Sequence, residues 1–203
     1  MLKQTLQRQI KQLNSQEIQE RLLAINQLEQ ITKTHPSHHW YIMEALSNFL
    51  RQSAPIDNLD IICIDIQTAL HVICNRNVQH DPKNQILDLS FTNIPNVNLD
   101  NTNLQQINFY QSNLTNASLK NANLHQAILA AANLKGANLE RANLSSANLG
   151  AANLTNANLR AANLHRANLY LANLEGAIVQ EANLWEANLR EANFKGVRQP
   201  LNS

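Results

Sequence analysis

The chain carries two rhythms of apolar residues. Up to about residue 76 they recur at helical spacing, and from residue 89 to residue 194 they recur at every fifth position without a break. In the first part, EIQERLLAINQLEQI places apolar side chains on one stripe, the mark of an amphipathic helix. Asn14 and Glu17 have the spacing of a capping box ahead of it, and Pro36 follows it. Ser37 stands where an N-cap would open a second helix carrying Trp40, Ile42, Met43, Leu46, Phe49 and Leu50, which Pro55 ends. A third amphipathic stretch covers about residues 60–76, and a short helix is predicted near residues 2–12. Residues 80–84 read as a linker.

The second rhythm is a tandem repeat. With the central residue of each unit called i, Leu, Ile, Val or Phe stands at i in 22 consecutive units from Leu89 to Phe194. Position i−2 is small or apolar, and it is Ala in all sixteen units from Ala117 to Ala192. Position i−1 is Asn in eighteen units, the exceptions being Asp88, Ser118, Ile128 and Ile178. A period of five fits neither regular element. In a helix it walks the Leu residues around the cylinder. In a strand an odd period sends successive Leu residues to opposite faces. A chain that turns a corner in each unit buries i−2 and i every time and leaves i−1, i+1 and i+2 outside.

The run ANLKGANLERANLSSANLGAANLTNANL resembles the pentapeptide-repeat proteins, whose consensus is A-(N/D)-L-x-x. The resemblance implies a mainly β fold, a right-handed quadrilateral parallel β-helix in which four units make one square coil of twenty residues. Twenty-two units then make about 5.5 coils, a rod roughly 26 Å long at strand-like spacing. The N-terminal pattern resembles the HEAT-like helical leader found ahead of some bacterial pentapeptide-repeat domains, and a cyanobacterial source is the expectation. The organisation expected is a small all-α capping domain over residues 1–80, a linker over 81–86, the solenoid over 87–196 and a tail over 197–203. The first six i−2 residues, Leu87, Thr92, Val97, Thr102, Ile107 and Ser112, depart from Ala, which suggests a first coil that is wider or packed against the helices. A solenoid needs a cap where its edge is bare. No helical pattern follows Phe194, so the expected oligomeric state is a monomer or an end-to-end homodimer through the uncapped C-terminal coil.

Charge and composition narrow the function. The formal net charge is +1, which gives no excess to attract nucleic acid. Some members of the family mimic DNA and modulate a topoisomerase such as gyrase. That alternative needs an acidic rod, whereas residues 86–203 hold eight Lys and Arg against seven Asp and Glu. No apolar run is long enough for a membrane span and the N-terminus has no signal-peptide pattern, so a cytoplasmic location is expected. Two cysteines, Cys63 and Cys74, are too few for a disulfide framework, and buried free thiols are expected. His38, His39, His71 and His80 lack zinc-site spacing. His125 and His165 lie two coils apart, about 10 Å, too far to share a metal. Four glycines provide no phosphate-binding loop. No catalytic residue, cofactor or metal is expected.

The outward positions carry the rest. Residues twenty apart share a face. The Leu99 face reads Asp100, Lys120, Glu140, Arg160, a ladder of alternating charge. The Ile94 face has Asn96, Asn116, Gly136, Asn156, Gly176 and Gly196 at i+2, which predicts type II turns down that column. The Leu89 face is different, with Phe91, Tyr110, Ile128, Ala130, Ala131, Gly150, Ala151, Tyr170 and Leu171. Contiguous apolar surface marks a contact site. The candidate partner-binding residues are Tyr110, Ile128, Tyr170 and Leu171, with His165, Arg166 and Trp185 on the adjoining face. Cover by the protein's own helices or tail is the other reading of that stripe. The function these readings support is a non-catalytic protein–protein interaction scaffold or regulator with an unidentified protein partner.

Overall fold

A computed structural model describes residues 2–53, 62–83 and 85–198. Four helices come first: α1 (Leu2–Gln12), α2 (Ile18–Thr34), α3 (His39–Gln52) and α4 (Ile64–Cys74). Single 3₁₀ turns at Pro36–His38 and Val78–His80 join them onward. Leu6, Ile25, Leu28, Leu46, Leu70 and Ile73 meet in the middle of the helices, each buried. The apolar stripe of α2 supplies Ala24, Ile25, Leu28 and Ile31 to that contact.

The helix starts differ from the expected caps. Glu17 is itself the N-cap of α2 and its side chain makes no capping bond. Ser15 takes the role instead, its Oγ accepting from the Glu17 N–H at 3.2 Å and donating to Glu20 at 2.6 Å. Ser37 does not cap α3, because Pro36 turns the chain through a 3₁₀ step and His38 becomes the N-cap. Pro55, residues 60 and 61, and Asn84 lie outside the described residues.

From residue 88 the backbone forms single-residue parallel bridges twenty apart, from Asp88 with Asn108 through to Ile178 with Arg198. Four units therefore close one coil. An interior unit with Asn at i−1 satisfies all five of its N–H groups, and the residues around Leu119 and Asn138 show how. Leu119 N–H donates to Asn138 O at 2.7 Å, and Asn121 N–H to Glu140 O at 2.9 Å. Asn138 N–H returns to Ala117 O at 2.9 Å, and Ala122 N–H closes the corner on Leu119 O at 3.1 Å. The last group, Glu140 N–H, donates to the Asn138 Oδ1 at 3.2 Å. The repeated Asn thus has a local task, since a backbone donor left unpaired costs about 1–3 kcal/mol. Its amide also donates to the preceding coil, as Asn158 Nδ2 does to Asn138 Oδ1 at 3.2 Å.

Ser118 is too short for that task. Asp100 from the previous coil replaces it, accepting from the Ser118 Oγ at 2.5 Å and from the Lys120 N–H at 2.9 Å. The corner pattern is also broader than expected. Positive φ occurs at i+2 on all four faces, at Gln106, Ala131 and Arg141 as well as Asn116 and Gly136. With a hydrogen bond from the fourth residue of the corner to its first, this is the φ signature of a type II turn. The closed coil imposes it on Phe, Gln, Arg, Leu and Glu as well as on Asn and Gly.

One apolar core runs from the helices into the rod. The helices sit on the open end of the first coil, whose outer carbonyls have no coil before them. Ser47 donates to Asp88 O. Gln67 Nε2 donates to Asn98 O at 3.0 Å. Arg76 donates to Asn103 O at 3.3 Å and to Gln105 O at 3.0 Å. The enlarged i−2 residues face this contact, and the buried Thr92 and Ser112 hydroxyls bond each other at 3.1 Å. At the other end the inward side chains Leu184, Leu189, Phe194 and Val197 are only half-buried.

Arg76 is the centre of a buried ionic group. Its Nε lies 3.0 Å from Asp81 Oδ2, while His39 Nε2 lies 3.0 Å from Asp81 Oδ1. The segment expected as a linker is therefore anchored. Burial is the largest influence on the Asp81 carboxyl and raises its pKa. The hydrogen bonds and charges of His39 and Arg76 together outweigh it and hold the carboxyl below its ordinary 3.8. A second ion pair, Arg21 with Asp65 at 2.6 Å, ties α2 to α4.

The two thiols part company. Cys74 is buried and Cys63 is exposed, so the expectation of two buried thiols holds for one, and both are free. Burial pushes the Cys74 thiol up to about 12 from 9.0, with the Arg76 charge and a hydrogen bond with Thr102 opposing. A raised folded-state value means the stabilising contribution of the neutral thiol is complete below pH 9 and is lost between pH 9 and about 12. At neutral pH, Ellman's reagent should modify one cysteine in the native protein and two in denaturant. Two equivalents from the folded chain would refute the burial of Cys74.

Candidate functional site

The expected partner-binding residues fall on two adjoining faces. On the Leu89 face the outward i+1 and i+2 positions from Ser90 to Leu171 include no charged residue in ten successive places. Phe91 and Tyr110 pack edge to face at one end, ring centroids 5.6 Å apart. Tyr170 and Leu171 stand at the other end, 36% and 48% exposed. Between them Ala130, Ala131, Gly150 and Ala151 have almost no side chain, so the wall dips. Tyr110 and Tyr170 are three coils apart, about 14 Å at strand spacing. Ile128 is half-buried in the dip, and because it replaces Asn, the Ala130 N–H has no acceptor among the described residues.

The helices cover the end of the first coil rather than this face. Phe91, in that first coil, is 60% exposed. The stripe ends at Arg190, whose guanidinium lies 5.9 Å from the Tyr170 ring and 3.2 Å from Glu191. Around the corner, His165 stacks on Trp185 with centroids 4.8 Å apart and planes 8° from parallel. His165 Nδ1 also lies 3.1 Å from Trp185 O. Arg166 pairs with Glu186 at 2.5 Å. Trp185 keeps 66% of its surface exposed. The structure thus joins His165, Arg166 and Trp185 into one unit along their face, next to Tyr170 and Leu171 across the corner.

The charge ladder of the Leu99 face forms only in part. Lys120 lies 3.5 Å from Glu140, but Arg160 turns to Glu181 at 3.7 Å. His125 is held by Ser145, its Nδ1 2.8 Å from the hydroxyl. Among the described residues no three His, Cys, Asp or Glu side chains gather as a metal would require, and no helix is long and apolar enough to cross a membrane. Sequence reasoning missed the group of Arg76, Asp81 and His39. Its members are spread over 42 residues, and only folding brings them together.

A family model of pentapeptide repeats (8 copies) matches residues 93–130, 107–145, 132–169 and 167–198. The chain belongs to the pentapeptide repeat family. Proteins of this family are in general structural or interaction proteins rather than enzymes. Among solved structures, the chain is similar to the pentapeptide repeat protein Rfr23 from the cyanobacterium Cyanothece 51142, at 31% identity, covering 58% of this chain and 88% of that one with a TM-score of 0.41. It is also similar to HetL, a pentapeptide repeat protein involved in heterocyst differentiation regulation from the cyanobacterium Nostoc sp. strain PCC 7120. There the identity is 29%, the coverage 58% and 76%, and the TM-score 0.27. QnrB1, a plasmid-mediated fluoroquinolone resistance protein, shares 14% identity over 55% of this chain and 62% of that one, with a TM-score of 0.26. No curated protein matches the chain.

Proposed function

We propose that the protein is a non-catalytic scaffold, with a right-handed coil, that takes a protein partner on the Leu89 face and the corner bearing Trp185. One observation carries the reading: ten successive outward positions without a charge, flanked at both ends by exposed aromatic side chains. Water-facing apolar surface of this extent is unfavourable unless something covers it. Tyr and Trp at its edge are the residue types that dominate binding energy at interfaces. The dip of Ala and Gly between Tyr110 and Tyr170 is wide enough for an α-helix, about 10–12 Å across. The alternative of a DNA-mimicking topoisomerase modulator asks for an acidic wall, which this face does not provide.

The test is capture from a lysate of the native host with the parent chain and with a Tyr170→Ala, Trp185→Ala double variant. Both side chains are exposed, so the melting temperature should move by no more than about 2 °C, as surface changes of about 0.5 kcal/mol do. Recovery of the captured protein should fall at least about tenfold. Equal recovery by parent and variant would reject this face as the contact.

A further inference from the structure

The Leu99 face departs from the repeated Asn at Ser118, where Asp100 makes up the lost acceptor, and at Ile178, where nothing among the described residues does. Ile178 stands where eighteen units carry Asn. In the coil before it, Asn158 Oδ1 accepts from the Arg160 N–H at 3.1 Å. Ile178 offers no such acceptor, and the Gln180 N–H has none among the described residues. The same stretch is dented because Ala161 is the small residue between Arg141 and Glu181 in its column. An open cleft of about 350 Å³ forms there, with Ile178 and Ala161 in its lining.

The rim of the cleft is cationic. Arg141, Arg160 and Arg198 line it, against Glu140 and Glu181. Both carboxylates are already engaged. Glu140 lies 3.5 Å from Lys120 and 3.9 Å from Arg141, and Glu181 lies 3.7 Å from Arg160. Arg198 has no carboxylate partner among the described residues. Lys120, Arg141 and Arg160 thus share the two carboxylates and Arg198 is left over, on a chain whose whole net charge is +1.

We propose that this cleft binds an acidic peptide segment, with a carboxylate held by Arg160 and Arg198 and an adjacent apolar side chain resting on Ile178 and Ala161. The planar guanidinium fork suits a carboxylate, and two forks suit it better than one ammonium would. The unpaired Gln180 N–H supplies a further donor for a peptide oxygen. The apolar floor decides the class of ligand, since it has nothing to give a hydrated phosphate or sugar and rewards a Leu or Val beside the charge. This site is separate from the Leu89 face and does not depend on it.

The probe is a fluorescent eight-residue peptide of alternating Glu and Leu, with a Lys and Leu counterpart, titrated with the full chain and followed by anisotropy. The Glu peptide should bind and the Lys peptide should not, with affinity falling as salt is added. Arg198→Ala should weaken binding about tenfold, the size of one charge-assisted hydrogen bond. Ile178→Asn should weaken it by a similar factor while raising the melting temperature, because it restores the repeat and covers the Gln180 N–H. Tyr170→Ala should leave it unchanged. The proposal is overturned if the Glu peptide fails to bind, if Ile178→Asn binds as tightly as the parent, or if millimolar inorganic phosphate displaces the peptide.

Discussion

Replacing Arg76 by methionine should destabilise the chain by about 3–5 kcal/mol, the usual cost of removing one partner from a buried ion pair. Arg76 is almost fully buried and holds Asp81 on one side and the edge carbonyls of Asn103 and Gln105 on the other. Methionine fills the space and donates nothing. Among the described residues the Asp81 carboxylate keeps His39 as its remaining partner, and two carbonyls of the first coil lose the Arg76 donor. Equilibrium unfolding in urea should then show the helices separating before the rod, as two transitions, and the exposed coil edge should promote aggregation. The same contact predicts acid sensitivity. A carboxyl held below its ordinary value stabilises the fold above pH 3.8, and that contribution is lost as the pH falls through the native value. The parent should therefore lose stability below about pH 4 more steeply than the variant. A cost under about 1 kcal/mol, with a single unchanged transition, would show that Arg76 does not hold the cap.

Leu139→Ala should cost about 2–5 kcal/mol. Leu139 is fully buried and stacks between Leu119 and Leu159 in the same column, with Ala137 of its own unit beside it. The cavity left by truncation cannot close, because inter-coil hydrogen bonds fix the wall on both sides. Leu189→Ala makes the same chemical change in the last coil, where the side chain is half-buried, and should cost clearly less. In a solenoid each unit meets only its neighbours, so the central truncation should also weaken the coupling between the two halves of the rod. Chemical denaturation of both variants measures the difference. Equal costs would mean that the axis is not packed uniformly.

Much of the rod was legible from its period. The inward pair and the outward triplet follow from Leu, Ile, Val or Phe at every fifth position with no insertion, while the twenty-residue coil is what the family resemblance implied and the bridges twenty apart bear out. The polar surface was read less well. Positive φ was expected where Asn and Gly recur, yet Gln106, Ala131 and Arg141 adopt it too. Residue preference describes one turn in isolation, whereas here the closure of the whole coil sets the backbone and the hydrogen-bond network offsets a strain of about 1 kcal/mol or more per corner. The capping box at Asn14 and the cap at Ser37 failed for a related reason. Each is a local pattern, and the structure places Ser15 and a proline turn where packing needs the helix to begin.

The candidate contact face was legible as a list of residues twenty apart, because stacking makes sequence distance into position. The pairing of Arg160 with Glu181, the stacking of His165 on Trp185 and the cleft over Ile178 were not, since they depend on which rotamers the neighbouring coils leave open. By itself the sequence determined the repeat and the inward core positions, because these rest on a strict period and on burial, while the sides of the rod rest on the family's four units per coil and the bridges twenty apart. The tertiary structure alone decided how the helices close the first coil, through Ser47, Gln67 and Arg76, because orphaned backbone carbonyls exist only once the coil has formed.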